Sequence, residues 1–168
     1  IQILVDDEPI DCFDGESLYT THCQYHEENP YFNDDIIAQL PLEFHKNIIL
    51  SVHFYHASVD PKSKKSRISC GFSVFNLFNE NGTFVSNTIH KVGISYNEKD
   101  SFEPLENNYL IFSTRLNSSI YSTDIHITNI FKGNYTKLCA PSQNDLIPYI
   151  YSVLDTVIHD INEGNQEG

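Results

Sequence analysis

The feature that most constrains the fold of this chain is a two-residue alternation of apolar and other side chains. It is clearest between residues 48 and 55, where the apolar positions are Ile48, Leu50, Val52 and Phe54. The positions between them are Ser51, His53 and Tyr55. Successive side chains of a β-strand point to opposite faces of the sheet. The pattern therefore predicts a strand with one face on a hydrophobic core.

Seven further runs have a strand-like character: Ile1–Val5, Ser17–Tyr25, Asp35–Leu40, Cys70–Phe78, Phe84–Ile94, Asn108–Leu116 and Asp124–Phe131. Turn-forming pairs separate them, namely Asp14-Gly15, Asn29-Pro30, Asp60-Pro61, Asn81-Gly82 and Gly133-Asn134. About eight short strands punctuated in this way predict an all-β fold, an antiparallel β-sandwich.

The period changes near the end of the chain. Between Leu146 and Ile161 the apolar residues recur at steps of three and four, which predicts one C-terminal amphipathic helix. Asn144 or Asp145 can cap its start, and Gly164 follows its end. Its apolar stripe could pack on the sandwich or against a neighbouring domain. We therefore expect two parts, a sandwich over residues 1–138 and a helix and tail over residues 139–168.

The charge of the chain is acidic, with one exception. Asp and Glu outnumber Lys and Arg by 23 to 10, which argues against a nucleic-acid partner and against a protein that coats an anionic membrane with its whole surface. Residues 60–67, here called the basic loop, nevertheless hold four of the ten basic residues: Lys62, Lys64, Lys65 and Arg67. Three interpretations of this loop stay open, which are a solvated surface loop, a lipid-headgroup or membrane contact, and a contact with an acidic protein or domain.

No motif in the sequence indicates catalysis or a cofactor. Nucleophile-elbow, zinc-protease, P-loop and dinucleotide-binding patterns are all absent from it. His53 and His56 would lie on opposite faces of a strand, and His22 and His26 would be roughly 13 Å apart along another. The histidines are therefore predicted to be structural, with no metal site and no cofactor. The adjacent carboxylates Asp6-Asp7 and Asp34-Asp35 diverge in a strand and suit solvated loops better than acid–base catalysis.

The four cysteines, Cys12, Cys23, Cys70 and Cys139, have no metal-binding spacing. We expect free thiols in a reducing, cytoplasmic compartment in preference to two disulfides. No apolar run in the sequence approaches the length of a membrane span. The chain starts without Met and without a signal-peptide pattern, so we expect it to be part of a longer protein.

Two segments resemble C2 domains. The Asn29–Asp34 run resembles their Asn-Pro-x-aromatic-x-acid turn, and Leu50–Ser58 resembles their central strand and the loop after it. Calcium-binding C2 domains have an Asp-x-Asp at the end of that strand, where this chain has His56 and Ser58. An imidazole and a hydroxyl do not replace anionic oxygen ligands, so the resemblance implies a calcium-independent C2-type sandwich.

A closer resemblance is distributed over residues 1–132. The segments that carry it are Tyr19–Phe32, Leu40–Lys46, Phe54–Ser58, Gly71–Ser73 and Ser119–His126 with Phe131. In this order they resemble the first homology region (DHR-1) of the dedicator-of-cytokinesis (DOCK) family, nearest to its zizimin-like branch. The terminal helix resembles the start of the helical segment that follows this region.

The DOCK resemblance implies a non-catalytic C2 module of a guanine-nucleotide exchange factor for Rho-type GTPases, whose exchange region lies outside this chain. In some relatives the module binds phosphoinositides through basic loops, and here the matching residues are Lys62, Lys64, Lys65 and Arg67. The implied partners are a phosphoinositide or anionic membrane surface and other domains of the parent factor. A Rho-family GTPase would be reached only through the parent. The implied location is cytoplasmic with peripheral membrane recruitment, and the alternative is a protein-interaction or intramolecular scaffold domain that binds no lipid.

Overall fold

A computed structural model describes residues 1–25, 27–42, 45, 47–58, 67–85, 87–96, 108–132 and 147–164. The described residues contain six strands: β1 (Gln2–Val5), β2 (Glu8–Pro9), β3 (Ile48–Ala57), β4 (Arg67–Asn76), β5 (Ile89–Gly93) and β6 (Tyr109–Ser113). They also contain two α-helices, α1 (Ile125–Phe131) and α2 (Ile150–Gly164), the second preceded by a 3-10 turn at Ile147–Tyr149. The predicted antiparallel β-sandwich with a C-terminal helix is confirmed.

The strands form two sheets. In the larger sheet the order is β2-β1-β3-β4, and every pairing is antiparallel. Strands β5 and β6 form the smaller sheet. Phe75 of β4 packs against His90 of β5 and Phe112 of β6, with ring centroids 4.7 and 5.1 Å apart. These three rings form an aromatic layer between the sheets.

The chain divides into two compact units that interleave in sequence. The first comprises Ile1–Leu40, Asn47–Asn76 and His90–Phe112, and it holds the four-stranded sheet. Its buried apolar residues include Ile3 and Val5 of β1 and Ile48 and Val52 of β3. Because β1 pairs with β3, these four side chains bring the core of this unit to the start of the long β3 strand.

The second unit comprises Pro41–Lys46, Leu77–Ile89 and Ser113–Gly168. Its buried aromatic cluster has Phe78 at the centre, 5.6 Å from the Phe84 ring and 5.3 Å from the Tyr121 ring. Helix α2 contacts α1 in this unit. The boundary that we expect after residue 138 lies outside the described residues, as do Asn144 and Asp145, so it stays a prediction.

The strand expected over Asp124–Phe131 is wrong, because the segment forms helix α1. The Asp124 carboxylate caps this helix by accepting hydrogen bonds from the backbone N–H groups of His126 and Ile127, at 2.6 and 3.2 Å. An Asp at the N-cap satisfies donors that the first helical turn leaves free. Burial of Ile127 and Ile130, three residues apart, follows a helical period and not a strand period.

Ser17–Tyr25 and Asp35–Leu40 are also not strands in the structure. The backbone N–H of Tyr19 donates to the Ile1 carbonyl at 2.9 Å, and that of Gln39 donates to the Cys12 carbonyl at 2.8 Å. Such isolated bonds tie the segments to their neighbours without forming a ladder. A strand-like sequence pattern is therefore not sufficient in these two segments, because a strand also needs a partner strand with which to pair.

Candidate functional site

The basic loop connects the two longest strands. Lys62, Lys64 and Lys65 lie outside the described residues, whereas Arg67 is the first residue of β4 and is exposed. Ala57, the last residue of β3, pairs directly with Arg67. This register places Arg67, the last residue of the basic loop, opposite the last residue of β3.

A β-bulge separates two parts of this hairpin. The regular pairing runs as far as Phe54 with Gly71 and then shifts, so that Tyr55 pairs with Ser69 and Cys70 is the extra residue. We call Ile48–Val52 with Ser73–Asn76 the base of the hairpin. We call Tyr55–Ala57 with Arg67–Ser69 its tip. The base pairs with β1, whose four partners are residues 48–51, and the tip lies beyond that pairing.

Gly71 follows the extra residue Cys70 of the bulge, and its position admits no side chain. Its φ of +149° is rarely adopted by residues with a side chain, and a Cβ there would lie 2.8 Å from Ile94 Cγ2 and 2.9 Å from the Ser95 carbonyl oxygen. The neighbouring Phe72 exchanges two backbone hydrogen bonds of 2.8 Å with Ser95. A glycine is therefore needed here because another backbone segment approaches β4 closely.

The base of the hairpin has buried residues on both faces, whereas the alternating pattern predicts burial of one face only. Ile48 is fully buried and Val52 nearly so on one face, while Ser51 is buried on the other. The Ser73 hydroxyl, opposite Val52, donates a 2.7 Å hydrogen bond to the Gly93 carbonyl. A buried hydroxyl costs little when it is paired in this way.

The tip is exposed on both faces. Residues directly opposite one another in an antiparallel pair share a face of the sheet. Tyr55, Ser69 and Arg67 therefore lie on one face, and Ile68 lies on the other together with His56. Tyr55 and Ile68 are each 53% exposed. The tip thus combines an exposed cation with one large apolar or aromatic side chain on each face.

The Tyr55 ring belongs to a column of nearly parallel rings. His53 lies between the other two members, with its centroid 6.4 Å from Tyr55 at 17° and 6.0 Å from Phe72 at 24°. The Ser51 hydroxyl and His53 Nε2 are within hydrogen-bonding distance, at 3.1 Å. This stacking restricts the orientation of the Tyr55 ring. Tyr55 would therefore lose less conformational entropy if a ligand bound to it.

The described histidines of β3 and of the segment before it are not arranged as a metal centre. His53 and His56 lie on opposite faces of β3, as predicted, and His22 instead pairs with the Asp34 carboxylate at 3.4 Å. Across the residues that the structure describes, no group of three or more His, Cys, Asp or Glu side chains could hold a metal ion. His26 is outside those residues.

Three of the four cysteines are free thiols in the structure, and Cys139 is outside the described residues. Cys12 is almost completely buried in the first unit. This burial raises the pKa of its thiol, because removal from water disfavours the thiolate. The low-reactivity, buried character of Cys12 is that of a core residue.

Sequence reasoning named only the four basic residues as site residues and did not assign a role to Tyr55 or Ile68. Ile68 could have been singled out from the sequence, because it is an apolar residue directly beside the basic cluster. Its face could not be deduced, because the bulge at Cys70 reverses the alternation of β4 between the base and the tip.

Comparison with known proteins supplies the family. The family model described as the C2 domain in Dock180 and Zizimin proteins matches residues 12–129, which is more than half of the chain. No curated protein and no solved structure matches the sequence. No helix in the described part of the chain is long and apolar enough to cross a membrane. The match covers most of the residues 1–132 on which the resemblance was based, and C2 domains are non-catalytic modules. This chain belongs to the DOCK-C2 family and folds as a C2-type β-sandwich.

Proposed function

We propose that the chain is a calcium-independent C2 module of a DOCK-type guanine-nucleotide exchange factor and that it binds phosphoinositides or anionic membrane through the basic loop. The observation that carries the proposal is the pairing of Ala57 with Arg67. It supports a basic end on an otherwise acidic protein, because Arg67, the last of the four basic residues, lies at the tip of the hairpin. In this proposal the parent protein is cytoplasmic and is recruited peripherally.

Two finer parts of the proposal rest on the sequence around the tip. Calcium independence is supported by His56 and Ser58, which occupy positions where calcium-binding C2 domains have aspartates. The zizimin-like branch is our proposed subgroup, supported by the segments Tyr19–Phe32 and Ser119–His126. Exchange on a Rho-family GTPase is proposed for the parent factor and not for this chain.

Charge alone gives the proposed membrane contact only a low affinity. Each Lys or Arg near an anionic bilayer contributes about 1 kcal/mol, so four contribute roughly 4 kcal/mol. That free energy corresponds to a dissociation constant of about 1 mM. The net charge of −13 reduces it further by repulsion. Membrane binding by this module therefore needs directed headgroup contacts, apolar contacts or avidity from the parent protein.

Flotation with phosphoinositide-containing liposomes tests the proposal. The wild-type chain is expected to float with the liposomes, and the Lys64→Glu/Lys65→Glu variant is expected to remain in the soluble fraction. A matched control is Lys91→Glu/Arg115→Glu, which makes the same change in net charge at exposed residues outside the basic loop. Equal flotation of the loop variant and the wild type would eliminate the loop mechanism.

A second candidate function is an intramolecular scaffold within the same exchange factor, favoured by helix α2. Its exposed apolar residues follow steps of four and three along the helix and the preceding turn: Ile147, Tyr151, Leu154, Ile158 and Ile161. This spacing is that of a helix–helix contact, and another helical domain of the parent is the proposed partner. Failure of the wild-type chain to bind liposomes, together with binding to an adjacent parent domain, would favour this candidate.

A further inference from the structure

The segment Asp35–Leu40, here called the edge segment, is extended but belongs to no strand. Exposed and half-buried side chains alternate along it, and the exposed ones are those of Asp35, Ile37 and Gln39. Such alternation is typical of an extended chain with one face on the protein interior. The backbone of the edge segment therefore already has the conformation that a β-strand requires.

One edge of this segment faces the larger sheet. The Gln39 N–H donates to the carbonyl of Cys12 at 2.8 Å, and the chain around Cys12 continues from β2. The Ile10 N–H in turn donates to the carbonyl of Ile3 in β1 at 3.1 Å. The edge segment therefore lies beyond β2, at the outer margin of the larger sheet.

The other edge of the segment has no partner in the described part of the chain. Neighbouring residues of an extended chain direct their backbone N–H and C=O groups to opposite edges. Because Gln39 faces Cys12, the backbone groups of Ile36 and Ala38 face away from it. Neither of these two residues makes a hydrogen bond with any described residue. A row of unpaired backbone groups on an extended segment is a template for a strand from another chain.

The charge of the surrounding region identifies the kind of chain that would pair here. Residues 1–40 contain ten acidic residues, and the first Lys or Arg of the sequence is Lys46. All of residues 1–40 belong to the same compact unit. A second copy of this chain would bring two such acidic regions together and would be repelled, whereas a chain rich in Lys or Arg would be attracted. Charge complementarity therefore favours a basic strand as the occupant.

The exposed face of the edge segment specifies the pattern of that strand. Asp35 and Ile37 lie on this face, and Ile37 is 85% exposed. Side chains directly opposite one another in paired strands interact, and both opposite charges and apolar pairs stabilise the pairing. A Lys or Arg opposite Asp35 and an aliphatic residue opposite Ile37 fit this face. These two partner residues would be two positions apart in the added strand.

We infer that the edge segment binds an extended, basic segment of a partner protein, which adds a strand to the larger sheet. Main-chain hydrogen bonds to Ile36 and Ala38 provide the affinity, and contacts with Asp35 and Ile37 select a cation and an aliphatic side chain. The inference does not depend on the proposed lipid contact, because the edge segment contains no basic residue and is separate from the basic loop in sequence.

A synthetic peptide that places Lys and Val alternately on one face and Thr on the other tests the choice of partner. Its binding to the chain is measured by fluorescence anisotropy. The control peptide has Glu in place of each Lys, and we expect it to bind about tenfold more weakly because the acidic region repels it. Equal binding of the two peptides would overturn the inference.

Backbone pairing is tested by amide hydrogen exchange and by N-methylation. On binding of the Lys peptide, exchange at Ile36 and Ala38 should slow, whereas the Gln39 amide is already bonded to Cys12 and should change little. Peptides methylated only at the Thr nitrogens or only at the Lys and Val nitrogens should differ about tenfold in affinity, since one set of N–H groups faces the protein. Unchanged exchange at Ile36 and Ala38 on saturation, or equal affinities of the methylated peptides, would rule out strand addition.

Substitutions at the exposed residues locate the binding. Asp35→Lys is expected to weaken binding of the Lys peptide about tenfold and Ile37→Ser about threefold. Both residues are exposed, so neither change should impair folding. The matched control for Asp35→Lys is Glu80→Lys, which makes the same change in charge at an exposed residue of the second unit and should bind like the wild type. If Asp35→Lys and Ile37→Ser both bound as tightly as the wild type, the peptide would bind elsewhere and the inference would be wrong.

Discussion

The base and the tip of the β3–β4 hairpin belong to the same two strands but have opposite surroundings. At the base, Ile48 is fully buried and Ser73 is hydrogen-bonded in the interior. At the tip, Arg67, Ile68 and Tyr55 are exposed. The comparison indicates that the hairpin contributes to the core at one end and presents exposed side chains at the other, with the bulge at Cys70 between them.

The largest expected effect of a single substitution is at the base. Ile48→Ala would remove a fully buried aliphatic side chain and leave a cavity, with an expected loss of about 3–4 kcal/mol in the free energy of unfolding. Urea denaturation followed by circular dichroism measures this loss. A loss below about 1 kcal/mol would mean that the base is not the stabilising end of the hairpin.

An intermediate effect is expected at the bulge. Gly71→Ala would combine an unfavourable φ with close contacts to Ile94 and Ser95, at an expected cost of about 2–3 kcal/mol. The control is Gly15→Ala, where φ is +86° and no atom lies within 4 Å of the added Cβ, so the expected cost is only about 1 kcal/mol. If thermal or urea unfolding showed that Gly71→Ala and Gly15→Ala lower the free energy of unfolding equally, the approach of Ser95 to β4 would not constrain the bulge.

The smallest effect on stability is expected at the tip. Arg67→Ala removes an exposed side chain, and the free energy of unfolding should change by less than about 0.5 kcal/mol. The same substitution should reduce the dependence of vesicle binding on salt, because one cation fewer contacts the headgroups. A stability loss comparable to that of Ile48→Ala would break the distinction between base and tip.

The sequence was sufficient to predict the long β3 strand and the antiparallel sandwich. In β3 the alternation of Ile48, Leu50 and Val52 is regular, and the burial of Ile48 and Val52 matches it, although Leu50 is only half-buried and Ser51 on the other face is buried as well. Helix α2 was also predicted, because its steps of three and four continue over several turns. Long periodic segments can be predicted from local sequence in this way.

The errors have two causes, a local capping signal that was not used and a tertiary contact that local sequence does not show. The short run from Ile125 to Phe131 fits a strand or a helix by pattern, and the capping carboxylate of Asp124 is the local signal that favours the helix. Beside the bulge at Cys70, Gly71 lies against Ile94 and Ser95, which are more than twenty residues away in sequence. An isolated glycine inside a strand, such as Gly71, is the signal that could have indicated it. The basic residues of the candidate site were visible in the sequence, whereas the face of each tip residue was not.

The position of the bulge has a consequence for how this module can diversify. Because the faces of Tyr55, Arg67 and Ile68 are set by pairing within the hairpin, insertions or deletions between Ala57 and Arg67 would leave those faces unchanged. Doubling the length of a surface loop costs only about 0.6 kcal/mol in closure entropy. Under the proposed function, related sequences could therefore gain or lose lysines in this connection, and with them affinity for anionic surfaces, while the sandwich stays the same.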